Sequence, residues 1–359
     1  MKESVDVSRP PCQIVPMRQA RLKAPPDHPV AYYHCISRVV NRDFVLGDIE
    51  KEQFVQILRA CEQFSAVRVL TFCVMSNHFH VLVEVPRRPE QAPSDDELLT
   101  RLKRAYSAKA FAQVRWKLSV LREQGADDEA EAYRESFLRR MWDVGFFMKA
   151  LKQRFSAWFN RQRGRKGTLW EERYRSVLVE SGEALAAMAC YIDLNPVRAA
   201  IVEDTQDYRW CGYAQAMAGR QNARRALAEV TAGRLASLGD RAARTQAQHL
   251  AEYRVWLYGA GEEKRQTEQG RVIRRGFQRE KVAEVLASGG KLDWWQLLRC
   301  RVRYFNDGAV LGTREFVNRI FQHERHRFGP NRKTGARPLR GVEANGLCAL
   351  RDLRVEVLG

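Results

Sequence analysis

Residues 68–85 read RVLTFCVMSNHFHVLVEV. Arg68–Met75 and His78–Val85 are rich in β-branched and aromatic residues, and only Ser76-Asn77 separates them, the short polar connection of a β-hairpin. Side chains alternate along a strand, so His78, His80, Leu82 and Glu84 share one face while Phe79, Val81, Val83 and Val85 form an apolar one. On the N-terminal side Ala31–Val40 (AYYHCISRVV) reads as a strand. Ile49–Phe64 reads as a helix, with Phe54, Ile57, Leu58 and Cys61 recurring at three and four. Downstream, Asp95–Leu118 has helical character, as does Arg122–Gly164 with its stripe Phe146, Phe147, Leu151, Phe155, Trp158 and Phe159; the length of the latter predicts an inserted helical pair. Leu169–Glu180 (LWEERYRSVLVE) reads as a strand, and Ser181 as the N-cap of a helix with Glu183 in its first turn. That helix should end at Asn195-Pro196, because the residue before proline is biased out of the helical region. The order β-α-β-β-α-(αα)-β-α predicts an α+β antiparallel sandwich rather than a parallel βαβ fold.

The flanks differ from this core. Residues 1–30 are Pro-rich and mixed in charge and read as an extended basic arm, leaving a folded domain over 31–215 with its helical insertion at about 122–164. Residues 216–359 read as a mainly helical accessory region; Arg319–Arg340 within it carries seven basic residues against one acidic, which suits a DNA backbone or a solvated tail. Hydrophobic residues make up 45% of the chain, enough for a sizeable core. Lys and Arg number 61 against 43 Asp and Glu, and the net charge of +18 favours a polyanionic partner, nucleic acid first. The eight cysteines have neither zinc-site nor disulfide spacing and read as buried thiols of a reducing compartment. Residues 1–30 lack the roughly 7-residue apolar core of a signal peptide, and no stretch approaches the ~20 apolar residues of a membrane span. A cytoplasmic location with no membrane partner is expected.

His78-Phe79-His80 places two imidazoles at i and i+2, roughly 7 Å apart at their Cα atoms from a rise of ~3.4 Å per residue, so both can converge on one metal ion. With 7 histidines in the chain, a His-x-His triplet arises by chance in roughly 0.14 of such sequences, so packing alone is the competing reading. The run CYIDLNPVRA, residues 190–199, sets Tyr191 and Asn195 four apart on one helical face. Taken alone, that pair also reads as a half-buried core tyrosine and a C-terminal cap.

Taken together and in order, SNHFHVLVEV, GTLWEERYRSVLVES, YIDLNPVRAAIV and DYRWCGY resemble the HUH-type single-tyrosine transposases, and within them the REP-associated tyrosine transposases, over Tyr33 to about Tyr213. The resemblance implies a ferredoxin-like antiparallel sheet with helices, His78 and His80 as metal ligands, Asn195 as the amide ligand and Tyr191 as nucleophile. It implies Mg²⁺ or Mn²⁺ as the ion, and cleavage and rejoining of single-stranded DNA through a 5′-phosphotyrosine at REP-type hairpins. Arg161, Arg163, Arg165, Lys166, Trp170, Arg173 and Arg175 form a basic run interleaved with aromatics, the pattern of a single-strand-binding surface or of a solvated loop on core tryptophans. The rival functions are an HUH replication or conjugation initiator that nicks an origin, and a non-catalytic DNA-binding regulator on the same fold. Monomer and homodimer both remain open.

Overall fold

The computed structural model describes residues 21–261, 292–293, 308–339, 342–343 and 346–350. The chain runs β1 (Val30–Arg38), α1 (Asp48–Ser65), β2 (Arg68–Val74), β3 (His78–Pro86), then four helices, α2 (Asp95–Ala105), α3 (Ala108–Glu123), α4 (Asp127–Leu138) and α5 (Val144–Gln162). It continues through β4 (Arg175–Val179), α6 (Glu183–Asp193) and the single turn α7 (Asn195–Arg198) to α8 (Gly212–Met217), α9 (Gln221–Ser237) and α10 (Gln246–Gly261). After the short β5 (Leu292–Asp293) come β6 (Val310–Thr313), the helix Arg314–His323, here α11, then β7 (Arg337–Pro338), β8 (Val342–Glu343) and β9 (Leu347–Leu350).

Seven strands form one sheet in the order β2-β3-β1-β4-β6-β9-β7. Its first four strands are mutually antiparallel, and their order along a β-α-β-β-α-β chain is the ferredoxin-like one. The fold is α+β. The whole sheet is mixed rather than antiparallel, because β6 joins β4 in parallel. The apolar face of β3 meets α1 and α5, with Phe54 and Phe79 ring centroids 4.5 Å apart and Phe155 5.2 Å from Phe54, and α11 adds Val317 and Phe321 to the same cluster. On the opposite face Leu82, Val177 and Val179 pack with Ala186, Met188 and Ile192 of α6, Leu227 of α9 and Tyr253 of α10. Helices therefore cover both faces, and the α6 layer holds the site. Among the described residues no helix is long and apolar enough to cross a membrane.

Several expectations change. Helix α5 packs on α1 over the sheet, so it is the crossover helix of the fold, and the inserted element is α2–α4 with its own cluster of Leu98, Leu102, Phe137, Leu138 and Met141. The separator is Trp142, with a left-handed φ of 52°, followed by Asp143, whose side chain caps α5 by accepting from the Phe146 N–H. The strand expected over Leu169–Glu180 is ladder only from Arg175; before it Trp170 makes an isolated bridge to Val39. Gly182, not Ser181, occupies the N-cap of α6; its φ of 79° favours glycine, and a Cβ there would meet Ser237 at 2.9 Å.

Past residue 216 the described chain is helical through α9 and α10 and then rejoins the sheet. β6 covers the open edge of β4, with Leu178 N–H donating to Ala309 O at 2.9 Å and Glu180 N–H to Leu311 O at 3.0 Å. Several basic residues of 319–340 serve this subdomain: Arg325 donates to Phe328 O at 3.0 Å, and the Arg332 guanidinium lies 4.9 Å over Phe328. Residues 1–20 of the arm lie outside the described residues. From Arg21 the arm is seated on the domain, with Leu22 buried and the Arg21 guanidinium 3.6 Å over the Tyr174 ring.

Candidate functional site

The register of β1 against β3 pairs Ile36 with His80 and Arg38 with His78. Directly opposed residues share a face, so His34, two positions from Ile36, is the diagonal neighbour of His80. His34 Nε2 lies 2.9 Å from His80 Nδ1, and the two rings stack at 5.1 Å. The His78 ring is 5.1 Å from that of His80. His78 Nδ1 sits 2.7 Å from Asn77 Oδ1, and the Asn77 amide nitrogen donates to Arg42 O at 2.9 Å. A carbonyl only accepts, so Asn77 must turn its nitrogen to Arg42 and its oxygen to His78. His78 therefore carries its proton on Nδ1 and keeps a lone pair on Nε2. Burial first, then the Arg38 charge, lowers the His78 pKa to about 4. Burial also lowers His80 well below its ordinary value, with His78, His34, Arg38 and Arg198 adding to the effect. Both rings are neutral at pH 7, as metal ligation requires.

Helix α6 lies across this face. The Tyr191 ring approaches His80 edge-on at 5.8 Å and His34 at 6.0 Å, and the Arg198 guanidinium lies 4.8 Å over the Tyr191 ring. Pro196 has no N–H to give Ile192 O, and the Asn195 side chain supplies one instead. Its Nδ2 donates to Tyr191 O at 3.0 Å and to Ile192 O at 3.1 Å. A further helical turn, α7, follows where the sequence suggested a stop. The same two bonds orient the amide so that its nitrogen is spent on the helix and its oxygen is the group left for a ligand. A cavity of about 320 Å³ is lined by His78, His80, Tyr191 and Asn195 together with Arg38, Arg173 and Arg175, and Glu171 and Glu172 are also on its wall.

The four residues from the two motifs thus meet at one cavity, and of the basic run only Arg173 and Arg175 join them. Arg163 pairs with Glu50, Arg165 stands 5.8 Å from the Phe159 ring centroid, and Arg161 and Lys166 are exposed beyond the cavity wall. Trp170 is corrected from a stacking platform to a core residue: it is 7% exposed, has Phe79 at 5.4 Å and Phe155 at 5.8 Å, and its indole N–H donates to Lys152 O at 3.3 Å. No face of its ring is left for a base. Sequence reading missed His34, Arg38 and Arg198; His34 showed only as a polar residue in an apolar strand.

Among the described residues no group of three or more His, Cys, Asp or Glu is placed to hold a metal. A cation here would take two imidazole nitrogens and an amide oxygen, from His78, His80 and Asn195. The donor set fits in type, since the Asn77 oxygen leaves His78 a lone pair on Nε2, His80 has Nε2 as its second nitrogen and the Asn195 nitrogen rather than its oxygen is used by the helix.

Residues 28–121, containing β1, the hairpin and the histidine pair, match the sequence model of the family described as IS200-like transposases. The tyrosine helix lies beyond the matched residues. Among solved structures, one of a REP-associated tyrosine transposase bound to a REP hairpin aligns with a TM-score of 0.35 at 10% identity, covering 56% of this chain and 87% of that one. A candidate transposase from Deinococcus radiodurans aligns with a TM-score of 0.24 at 16% identity, covering 52% and 92%. No curated protein matches the sequence.

Proposed function

We propose that the chain is a metal-dependent transposase that cleaves and rejoins single-stranded DNA through a 5′-phosphotyrosine on Tyr191. The observation that carries this reading is the meeting of Tyr191 with His78, His80 and Asn195 at one cavity walled by Arg38, Arg173 and Arg175. A phosphodiester is an anion, and arginine forks suit its oxygens. Bound Mg²⁺ or Mn²⁺ would supply Lewis-acid polarisation of the scissile phosphate. The protein's own part is to aim Tyr191 in line and to ease loss of its proton. Arg198 over the ring favours the phenolate as it forms, because a nearby cation stabilises the charged form. Attack by the phenolic oxygen on phosphorus forms the tyrosyl ester and releases a 3′-hydroxyl strand. A 3′-hydroxyl that later attacks the ester restores the diester and the phenol without ATP.

The motif resemblance makes REP-type hairpins the first substrate to try. The test incubates the full chain with end-labelled single-stranded hairpin DNA and Mg²⁺ and looks for an SDS-stable adduct that maps by peptide mass to Tyr191. An adduct at another residue, or none with any hairpin or linear strand, rejects the nucleophile.

A further inference from the structure

We propose that His34 is a positioning residue that holds His80 in the tautomer able to bind metal; the inference rests on the metal centre proposed above. The two histidines of the hairpin are oriented by different means. For His78 the chain Arg42 O, Asn77, His78 settles the proton on Nδ1, because an amide locked by a carbonyl has only its oxygen to offer. His80 instead faces another imidazole, His34, at 2.9 Å between His34 Nε2 and His80 Nδ1.

One proton lies between those two nitrogens, and it belongs to one ring or the other. If His34 donates it, His80 must carry its own proton on Nε2 and has no lone pair for a cation. If His80 donates it, Nε2 of His80 is a ligand, and His34 must carry its proton on Nδ1. Only the second arrangement matches His78, whose Nε2 is already released. His34 is fully buried, stacked on His80 and edge-on to Tyr191, so its ring is fixed in orientation and the acceptor stays in place. Partners of this kind orient metal-ligating histidines, and their loss weakens metal affinity by about 10–100-fold.

The test uses the full chain and Mn²⁺ alone, with free Mn²⁺ read by electron paramagnetic resonance and no DNA present. His34→Phe keeps a flat buried ring without an acceptor and should weaken Mn²⁺ about 10–100-fold. His34→Gln places an amide oxygen where Nε2 stood and should stay within about threefold of the parent. His78→Ala, which removes a ligand, is the reference for a lost site. Equal binding by His34→Phe and the parent overturns the role of His34, and so does a Gln variant as weak as the Phe variant. If the parent itself binds no Mn²⁺, or His78→Ala binds as tightly, the metal centre falls and takes this inference with it. A measurement without variants guards against misfolding: nitrogen-15 spectra of the metal-free parent should show His80 protonated on Nδ1. Protonation on Nε2 overturns the proposal.

Discussion

Helix α6 sends polar groups into the protein on two sides, and the two sides end differently. Asp193 is fully buried and closed on all sides: Oδ1 accepts from Thr71 Oγ1 at 2.6 Å and from the Tyr213 N–H at 3.3 Å, and Oδ2 from the Tyr253 hydroxyl at 2.6 Å. These bonds tie α6 to β2, α8 and α10. Tyr191 and Asn195, two residues to either side, instead border a cavity with two neutral imidazoles and several arginines. Both clusters are polar and aromatic, and Tyr191 and His80 are buried as Asp193 is. What separates them is whether the donors and acceptors close on one another, as around Asp193, or leave ligand atoms directed at a shared space. The first arrangement fixes the position of the helix, and the second gives that position a use.

The sharpest way to break this comparison is Tyr191→Phe. On the proposed reading the Tyr191 hydroxyl is the nucleophile, so the variant should form no covalent adduct while its unfolding free energy changes by about 1 kcal/mol. An adduct that survives, or a protein that unfolds, would place Tyr191 with Asp193 instead.

Trp170→Ala asks the same question of the corrected residue. Removing a core indole should cost about 3–5 kcal/mol in denaturant unfolding. Where the protein stays folded, affinity for a single strand should be unchanged. A folded variant with weakened DNA binding and unaltered stability would return Trp170 to the DNA surface.

Asp193→Ala leaves two hydroxyls and one backbone N–H buried without their acceptor, and the expected loss is about 3 kcal/mol or more. Mn²⁺ affinity of the folded fraction should match the parent, measured below the new melting temperature. Loss of metal binding without loss of stability would make the closed side part of the site.

How much of this could be read beforehand follows from which relations are local. Tyr191 and Asn195 share a face because they are four apart on a helix, and His78 and His80 because they are two apart on a strand; spacing is enough for both. The order of elements around the hairpin likewise indicated an α+β antiparallel sandwich, while its ferredoxin-like form was implied by the motif resemblance. His34 depends on the offset between β1 and β3, which pairs Ile36 with His80, and no property of AYYHCISRVV specifies that offset. The true crossover helix was hidden for a related reason: α4 and α5 have the same periodicity, and only packing on α1 distinguishes them. β6 and β9 are four residues each, too short to show alternation, and become strands because the β4 edge offers them partners. Trp170 was misread because basic neighbours in sequence do not reveal that Phe79 and Phe155 enclose it.

The closed side also carries a pH dependence. Burial outweighs the hydrogen bonds and raises the Asp193 pKa to about 7, against about 3.9 for an aspartate in the unfolded chain. Between these values the native protein holds a proton that the unfolded chain has released, so this group's contribution is complete below about pH 4 and is lost as pH rises through about 7. His78 acts in the opposite sense. Its native pKa of about 4 lies below the unfolded value of about 6.5, so across that window the unfolded chain takes up the extra proton and stability falls as pH falls. The two slopes offset in the parent, which hides both. Asp193→Asn removes one of them. Whatever its absolute stability, its deficit against the parent should shrink from about pH 4 to pH 7, by at most about 1.4 kcal/mol per pH unit, and stay level above. Chemical denaturation of both proteins at pH 4.5, 5.5, 6.5 and 8 measures the difference directly. A deficit constant across that range would show Asp193 ionised throughout, its three donors then outweighing the cost of burial.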